Sequence, residues 1–189
     1  MHLNQKTMKL KKVMTLALML TVLVACGANT EQKKAETASN NEAVAKEKQQ
    51  ASVNVNAFID GYLEIKDALV KDDEETASKA AGSLISKVED LTKADVKEDL
   101  QKLFQEILAD LKVIEEASIE AQRKTFESMS HHAKEIVKLS DTDRKLYLQY
   151  CPMYANNTGG YWLSEEEQVL NPLFGSKMLK CGVVKEVID

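Results

Sequence analysis

From Val53 onward, apolar residues return at intervals of three and four. Phe58, Tyr62, Ile65 and Leu69 fall on one face of a helix. Asp72 and Glu75 have capping-box spacing and predict the start of a second helix, with Ala77, Ala81, Leu84, Val88 and Leu91 as its stripe. Thr92 and Asp95 are spaced similarly before a third stripe of Val96, Leu100, Leu103, Ile107 and Ile114. A fourth stripe is Ile119, Phe126, Met129, Ala133 and Ile136. No Gly or Pro interrupts Ser83 to Cys151, so the last two helices are expected to be nearly continuous. The pattern predicts a mainly α fold, an antiparallel bundle of three or four helices. Charged runs on the other faces read as solvated surface.

Beyond about residue 141 the character changes. Residues 146–150 alternate like a strand. Asn157-Thr158-Gly159-Gly160 signals a turn, and residues 161–163 can form the returning strand. Ser164 to Glu167 reads as a capping box for a short helix stopped by Asn171-Pro172, and Phe174-Gly175 as another turn. The only Trp, both Pro and four of the seven Gly lie in this small, irregular, β-containing tail. Such tails usually need a staple. Trp162 is expected to bury its ring on a helix face while its indole N–H finds an acceptor.

The N-terminus has a different pattern. Lys6, Lys9, Lys11 and Lys12 precede an uncharged, mostly apolar run over residues 13–25. A bilayer span needs about 20 apolar residues, so this run fits the core of a signal peptide instead. It ends in Leu23-Val24-Ala25-Cys26-Gly27, which resembles the lipobox of bacterial lipoproteins. That resemblance implies cleavage after residue 25 and a lipid on Cys26. Gly27 is not the Asp that commonly retains such lipoproteins in the inner membrane, which favours the outer membrane. Residues 26–52 contain no aromatic residue and, among large aliphatics, only Val44. They read as a flexible tether. Residues 53–189 then form a single helical domain with its tail, facing the periplasm.

Composition narrows the function. The formal net charge of −5 argues against nucleic acid as a partner. No glycine-rich phosphate loop, dinucleotide fingerprint or nucleophile elbow is present. No nucleophile, base and orienting group stand at a defined spacing, so the chain does not read as an enzyme.

The chemistry is concentrated in the tail. Cys151 and Cys181 are the only cysteines besides Cys26, and each has a methionine nearby, Met153 and Met178. Two thiolates and two thioethers form a soft ligand set suited to Cu(I). Pro152 keeps the first pair out of a regular helix, and Gly182 leaves space beside the second thiol. His131 and His132 are adjacent and point different ways, so one of them can join. Of the two, His132 is the candidate ligand, one turn from Met129 and Ile136, while taken by themselves the pair reads first as surface histidines. Met129 itself shares a face with core residues. The competing reading is a Cys151–Cys181 disulfide with methionines that merely pack, in a structural or interaction module without metal. Closing that loop of roughly 30 residues contributes on the order of 3 kcal/mol.

Tyr150-Cys151-Pro152-Met153, Gly160-Tyr161-Trp162-Leu163-Ser164, Asn171-Pro172-Leu173-Phe174-Gly175 and Met178-Leu179-Lys180-Cys181-Gly182 carry a further likeness. They resemble the end of a bacterial domain of unknown function found in exported lipoproteins and fused to CusB-type membrane-fusion subunits of heavy-metal efflux systems. The tail is also similar to a small heavy-metal-binding domain that starts with Cys-Pro-Met and ends with Cys-Gly-Met. Here Gly182 is followed by Val183, and Cys181 lacks a preceding Cys-Pro. The resemblance implies metal handling with an efflux complex as partner, and it tips the balance from disulfide towards metal. The two readings can also interconvert, oxidation releasing the ion.

Overall fold

The computed structural model describes residues 53–189. The signal segment, Cys26 and the tether lie outside the described residues. Four long helices come first: α1 (Asn56–Val70), α2 (Glu74–Thr92), α3 (Glu98–Glu116) and α4 (Ile119–Leu139). Each packs on the next in sequence, α1 on α2, α2 on α3 and α3 on α4. Their short connections make neighbours antiparallel. The expected stripes point inward. Phe58, Tyr62, Ile65 and Leu69 are buried together with Ala77, Ala81, Leu84, Val88, Leu100, Ile107, Ile114, Phe126, Met129, Ala133 and Ile136. Phe104 and Leu111 belong to the same core, whereas Leu91, Leu103 and Ile119 sit at its margin.

The helix starts differ from expectation in instructive ways. Asp73, not Asp72, caps α2: its carboxylate accepts the Thr76 N–H at 2.9 Å and the Thr76 hydroxyl at 2.7 Å. Asp72 instead has a left-handed backbone, φ 59°, and turns its carboxylate to Arg123 and to the Ser176 N–H. Thr92 ends α2 rather than opening α3, whose first residue is Glu98.

Helices α3 and α4 are not continuous. Ala117 and Ser118 are extended, because α4 has to turn back onto the bundle. No glycine is needed for the break, since other groups take up the free N–H and C=O groups. The Ile119 N–H donates to the Glu74 carboxylate at 2.8 Å. The Gln122 amide, fully buried, donates to the carbonyls of Glu74 and Ile114 and to the Ser78 hydroxyl. Three helices meet at that one side chain.

The chain leaving α4 runs beside the start of α1, where Val55 N–H donates to the Asp141 carbonyl and Asp141 N–H to the Val53 carbonyl. A three-stranded antiparallel sheet follows, made of β1 (Leu146–Cys151), β2 (Gly160–Ser164) and β3 (Val183–Ile188) in the order β2-β1-β3. Leu148 pairs with Leu163 and Gln149 with Trp162. On the other side Tyr150 pairs with Val183 and Leu146 with Ile188, with an irregularity between Leu148 and Gln149. The turn from β1 to β2 contains Tyr154–Asn157, a four-residue helical segment in which Ala155 and Asn156 are left-handed. Gly159, at φ 91°, closes the turn directly against the Tyr150 ring, where a Cβ would collide.

The helix expected after Ser164 does not form. Ser164 is buried at the end of β2, and its hydroxyl accepts the Glu166 N–H two residues on, which makes a turn. The buried Gln149 amide donates to the carbonyls of Glu166, Glu167 and Gln168. Those acceptors are therefore taken by a side chain instead of by a helical ladder. A short 3-10 helix, Gly175–Met178, lies further along. Trp162 is fully buried and its indole N–H donates to the Gln149 side-chain oxygen at 2.8 Å. Its acceptor is on the neighbouring strand, and Gly182 lies beside the ring.

Helices and tail are joined by two buried polar links. Tyr62 on α1 accepts the Leu163 N–H at 3.0 Å and lies 2.6 Å from the Ser130 hydroxyl. Ser130 in turn donates to the Phe126 carbonyl at 2.7 Å, so Tyr62 must be the donor to Ser130. Burial holds the Tyr62 phenol well above its ordinary range, which keeps it a donor. Leu163 is in an edge strand, so the phenol occupies the place of a ladder acceptor. The second link is Arg123 of α4, which reaches the Leu69 and Pro172 carbonyls and Asp72. Gly175, at φ 57°, passes so close to Asp72 and Arg123 that no side chain fits there.

Candidate thiol site

The two cysteines come together from opposite ends of the tail. Cys151 is the last residue of β1 and fully buried. Cys181 follows the 3-10 helix and is half-buried. Asn171 holds the second segment in place, donating its side-chain amide to the Cys181 carbonyl at 2.8 Å and its N–H to the Leu179 carbonyl at 2.8 Å. Its side-chain oxygen accepts the N–H groups of Leu173 and Phe174. The Cys181 N–H closes a turn on the Met178 carbonyl at 3.0 Å. The result is a separation of 2.7 Å between the Cys151 and Cys181 sulfurs, both of which are free thiols.

The contact with Cys151 holds the Cys181 thiol above its ordinary range, and burial adds to that. The Met153 N–H acts in the opposite sense, donating to the Cys181 sulfur. Residue 153 is thus at the pair through its backbone, while its side chain is half exposed. Met178 is half-buried one turn before Cys181. Two thiols in contact can lose their protons to a metal ion or be oxidised to a disulfide.

The histidines divide between two surfaces. His132 faces α3, with Nδ1 3.1 Å from the Asp110 carboxylate. Burial raises the Asp110 carboxyl above its usual range, with His132 partly offsetting the shift. His131 lies edge-on to Tyr161 of β2, ring centroids 5.7 Å apart, and 2.8 Å from Glu127. Among the described residues no group of three or more His, Cys, Asp and Glu is arranged to hold a metal ion. The structure therefore joins Cys151 to Cys181 and does not bring His132 to them. The backbone donor from Met153, the Asn171 clamp and the Gln149–Trp162 pair carry no signal in residue spacing, since each depends on the tail's path through space.

Residues 58–145 match the model of a family described as a protein of unknown function, DUF3347. No curated protein and no solved structure matches the chain. The matched span supports a domain of unknown function and covers the helices. It ends just before β1, so the segments on which the tail's resemblance rests lie beyond it.

Proposed function

We propose that this chain is an exported bacterial lipoprotein, anchored to the outer membrane by a lipid on Cys26, that captures a soft metal ion, Cu(I) before any other, in the periplasm in connection with heavy-metal handling or efflux. One observation carries the reading: two thiols 30 residues apart meet, sulfur to sulfur, beside the Met153 N–H. Cys151 and Cys181 supply the anionic ligands, and the Met153 and Met178 thioethers complete a soft set. Two sulfurs on one tetrahedral ion, at about 2.3 Å from it, stand about 3.8 Å apart. Uptake therefore requires the sulfurs to part by about 1 Å and both protons to leave. Because the Cys181 thiol is raised, affinity increases as pH rises towards the thiol range.

The sulfur contact also favours a second reading, a disulfide-stapled interaction module. A disulfide sets its sulfurs about 2.0 Å apart, closer to the observed 2.7 Å than a metal-bridged pair is. Forming it removes two protons and two electrons, which pass to a more oxidising disulfide in the exported compartment. Both can be states of one protein, with oxidation expelling the ion.

A competition titration against a Cu(I)-specific chromophoric chelator separates them. Reduced protein takes up one Cu(I) per chain, and oxidised protein far less. Exchange of Met153 and Met178 for Leu nearly conserves volume, so the fold survives while affinity falls. Equal Cu(I) affinity in wild type, the double Met→Leu variant and the Cys151→Ser/Cys181→Ser variant would refute the metal site. A cysteine variant that melts lower with unchanged Cu(I) uptake would establish the staple instead.

A further inference from the structure

Where the helices meet the tail there is a pocket of about 190 Å³, lined by Glu120 and Arg123 of α4 and by Tyr154, Leu173, Phe174 and Lys177. It has no part in the thiol chemistry. Arg123 is its buried charged member, 7% exposed. Its Nε donates to the Pro172 carbonyl at 3.0 Å, and its Nη2 donates to the Leu69 carbonyl at 2.8 Å and to Asp72. A guanidinium has five N–H groups, so the two on Nη1 meet no protein acceptor among the described residues. Nη1 is not among the buried unpartnered atoms, so it faces the open pocket, where an anionic acceptor can replace water on a cation whose other donors are already held.

The other walls define the rest of the ligand. Tyr154 and Phe174 meet edge to face, ring centroids 5.8 Å apart, and with Leu173 they make an apolar corner. Burial raises the Tyr154 phenol, with the Glu127 charge adding to that, so it stays protonated and able to donate. Lys177 contributes a second cation and Glu120 one carboxylate. Asp72 is already committed to Arg123 and the Ser176 N–H. The volume equals roughly six waters at about 30 Å³ each, enough for a single ring bearing a carboxylate.

We propose that this pocket binds a small organic monocarboxylate with an aromatic or compact apolar body. The carboxylate lies between Arg123 Nη1 and Lys177, and the body rests on Tyr154, Phe174 and Leu173. Glu120 selects against a second negative charge, which favours a monocarboxylate over phosphate or a dicarboxylate.

Benzoate is the probe, and benzamide is its neutral isostere. Saturation-transfer NMR on the full-length protein should give a benzoate Kd of about 1 mM, as expected for a ligand of about nine heavy atoms. Benzamide and succinate should each bind at least about threefold more weakly. Lys177→Gln should weaken benzoate by about 3- to 10-fold, the range of one partly screened charge contact. Lys177 is exposed, so the thermal midpoint should not move. Lys87→Gln, an equal change of net charge on an exposed residue of α2, should leave binding unchanged. Equal binding of benzoate and benzamide, no binding of either, or equal effects of the two lysine variants would overturn the proposal.

Discussion

Replacing Tyr62 by Phe tests how the helices hold the sheet. The ring itself should stay in place, because Tyr62 stacks on Phe126 with centroids 4.9 Å apart and the planes inclined by 27°. Only the hydroxyl is lost. It accepts from Leu163 N–H and donates to Ser130, whose own proton goes to the Phe126 carbonyl. The substitution therefore strands one buried N–H in an edge strand and removes one donor to Ser130. A buried donor left without a partner costs about 1–3 kcal/mol, and that range is the expected loss. Equilibrium unfolding in urea, followed by Trp162 fluorescence, should show a lower midpoint with an unchanged slope. Hydrogen exchange at the Leu163 amide should accelerate more than at Leu148, which pairs with it in β1. A loss below about 0.5 kcal/mol, or equal acceleration at both amides, would refute the idea that the phenol is the strand's missing partner.

Trp162→Ala should cost about 3–5 kcal/mol, as large aromatic truncations in cores do, and it also leaves the Gln149 side-chain oxygen unpaired; chemical denaturation followed by circular dichroism checks it, and a loss under 1 kcal/mol would contradict the burial. Asp72→Asn addresses pH. The hydrogen bond from Ser176, and then Arg123, hold the Asp72 carboxyl below its usual range, so its stabilisation is complete above the ordinary carboxylate pKa of about 4 and is lost as pH falls through the lowered folded value. The variant should melt below wild type at pH 7 and converge on it in acid; a constant gap across that window would count against the linkage. Cys26→Ser should abolish fatty-acid incorporation and leave the precursor uncleaved, and equal radiolabel in both proteins would eliminate the lipid anchor.

The four helices were legible because their burial repeats locally, one face per turn, with no reference to distant residues. Their ends were less so. The break before Ile119 depends on Glu74, 45 residues earlier, and the displaced cap at Asp73 follows from Asp72 being drawn to Arg123. In the tail, the alternation over residues 146–150 and the turn at Gly159 showed two strands. β3 stayed hidden because its valines lie partly exposed beside Lys185 and Glu186, so its alternation does not separate apolar from polar. The meeting of Cys151 and Cys181 could be suspected from their being the tail's only thiols, but not their contact. Helical spacing sets His132 one turn from Met129 and Ile136, but it does not say which neighbour each face meets. Here α3 takes one histidine and β2 the other.

The order β2-β1-β3 sets a sequence of events as well as a shape. The central strand, β1, needs a neighbour on each side, and one of them is Val183–Ile188, well beyond β2 in the sequence. During folding, local helical contacts can form early, while this closure joins segments some 40 residues apart. Until it happens, Leu146–Cys151 has an open edge, available to any other extended chain nearby. The six-residue β3 is thus a cover as well as a strand. A protein shortened at residue 182 would keep its helices and both thiols, and its failure would be self-association through the bared edge of β1.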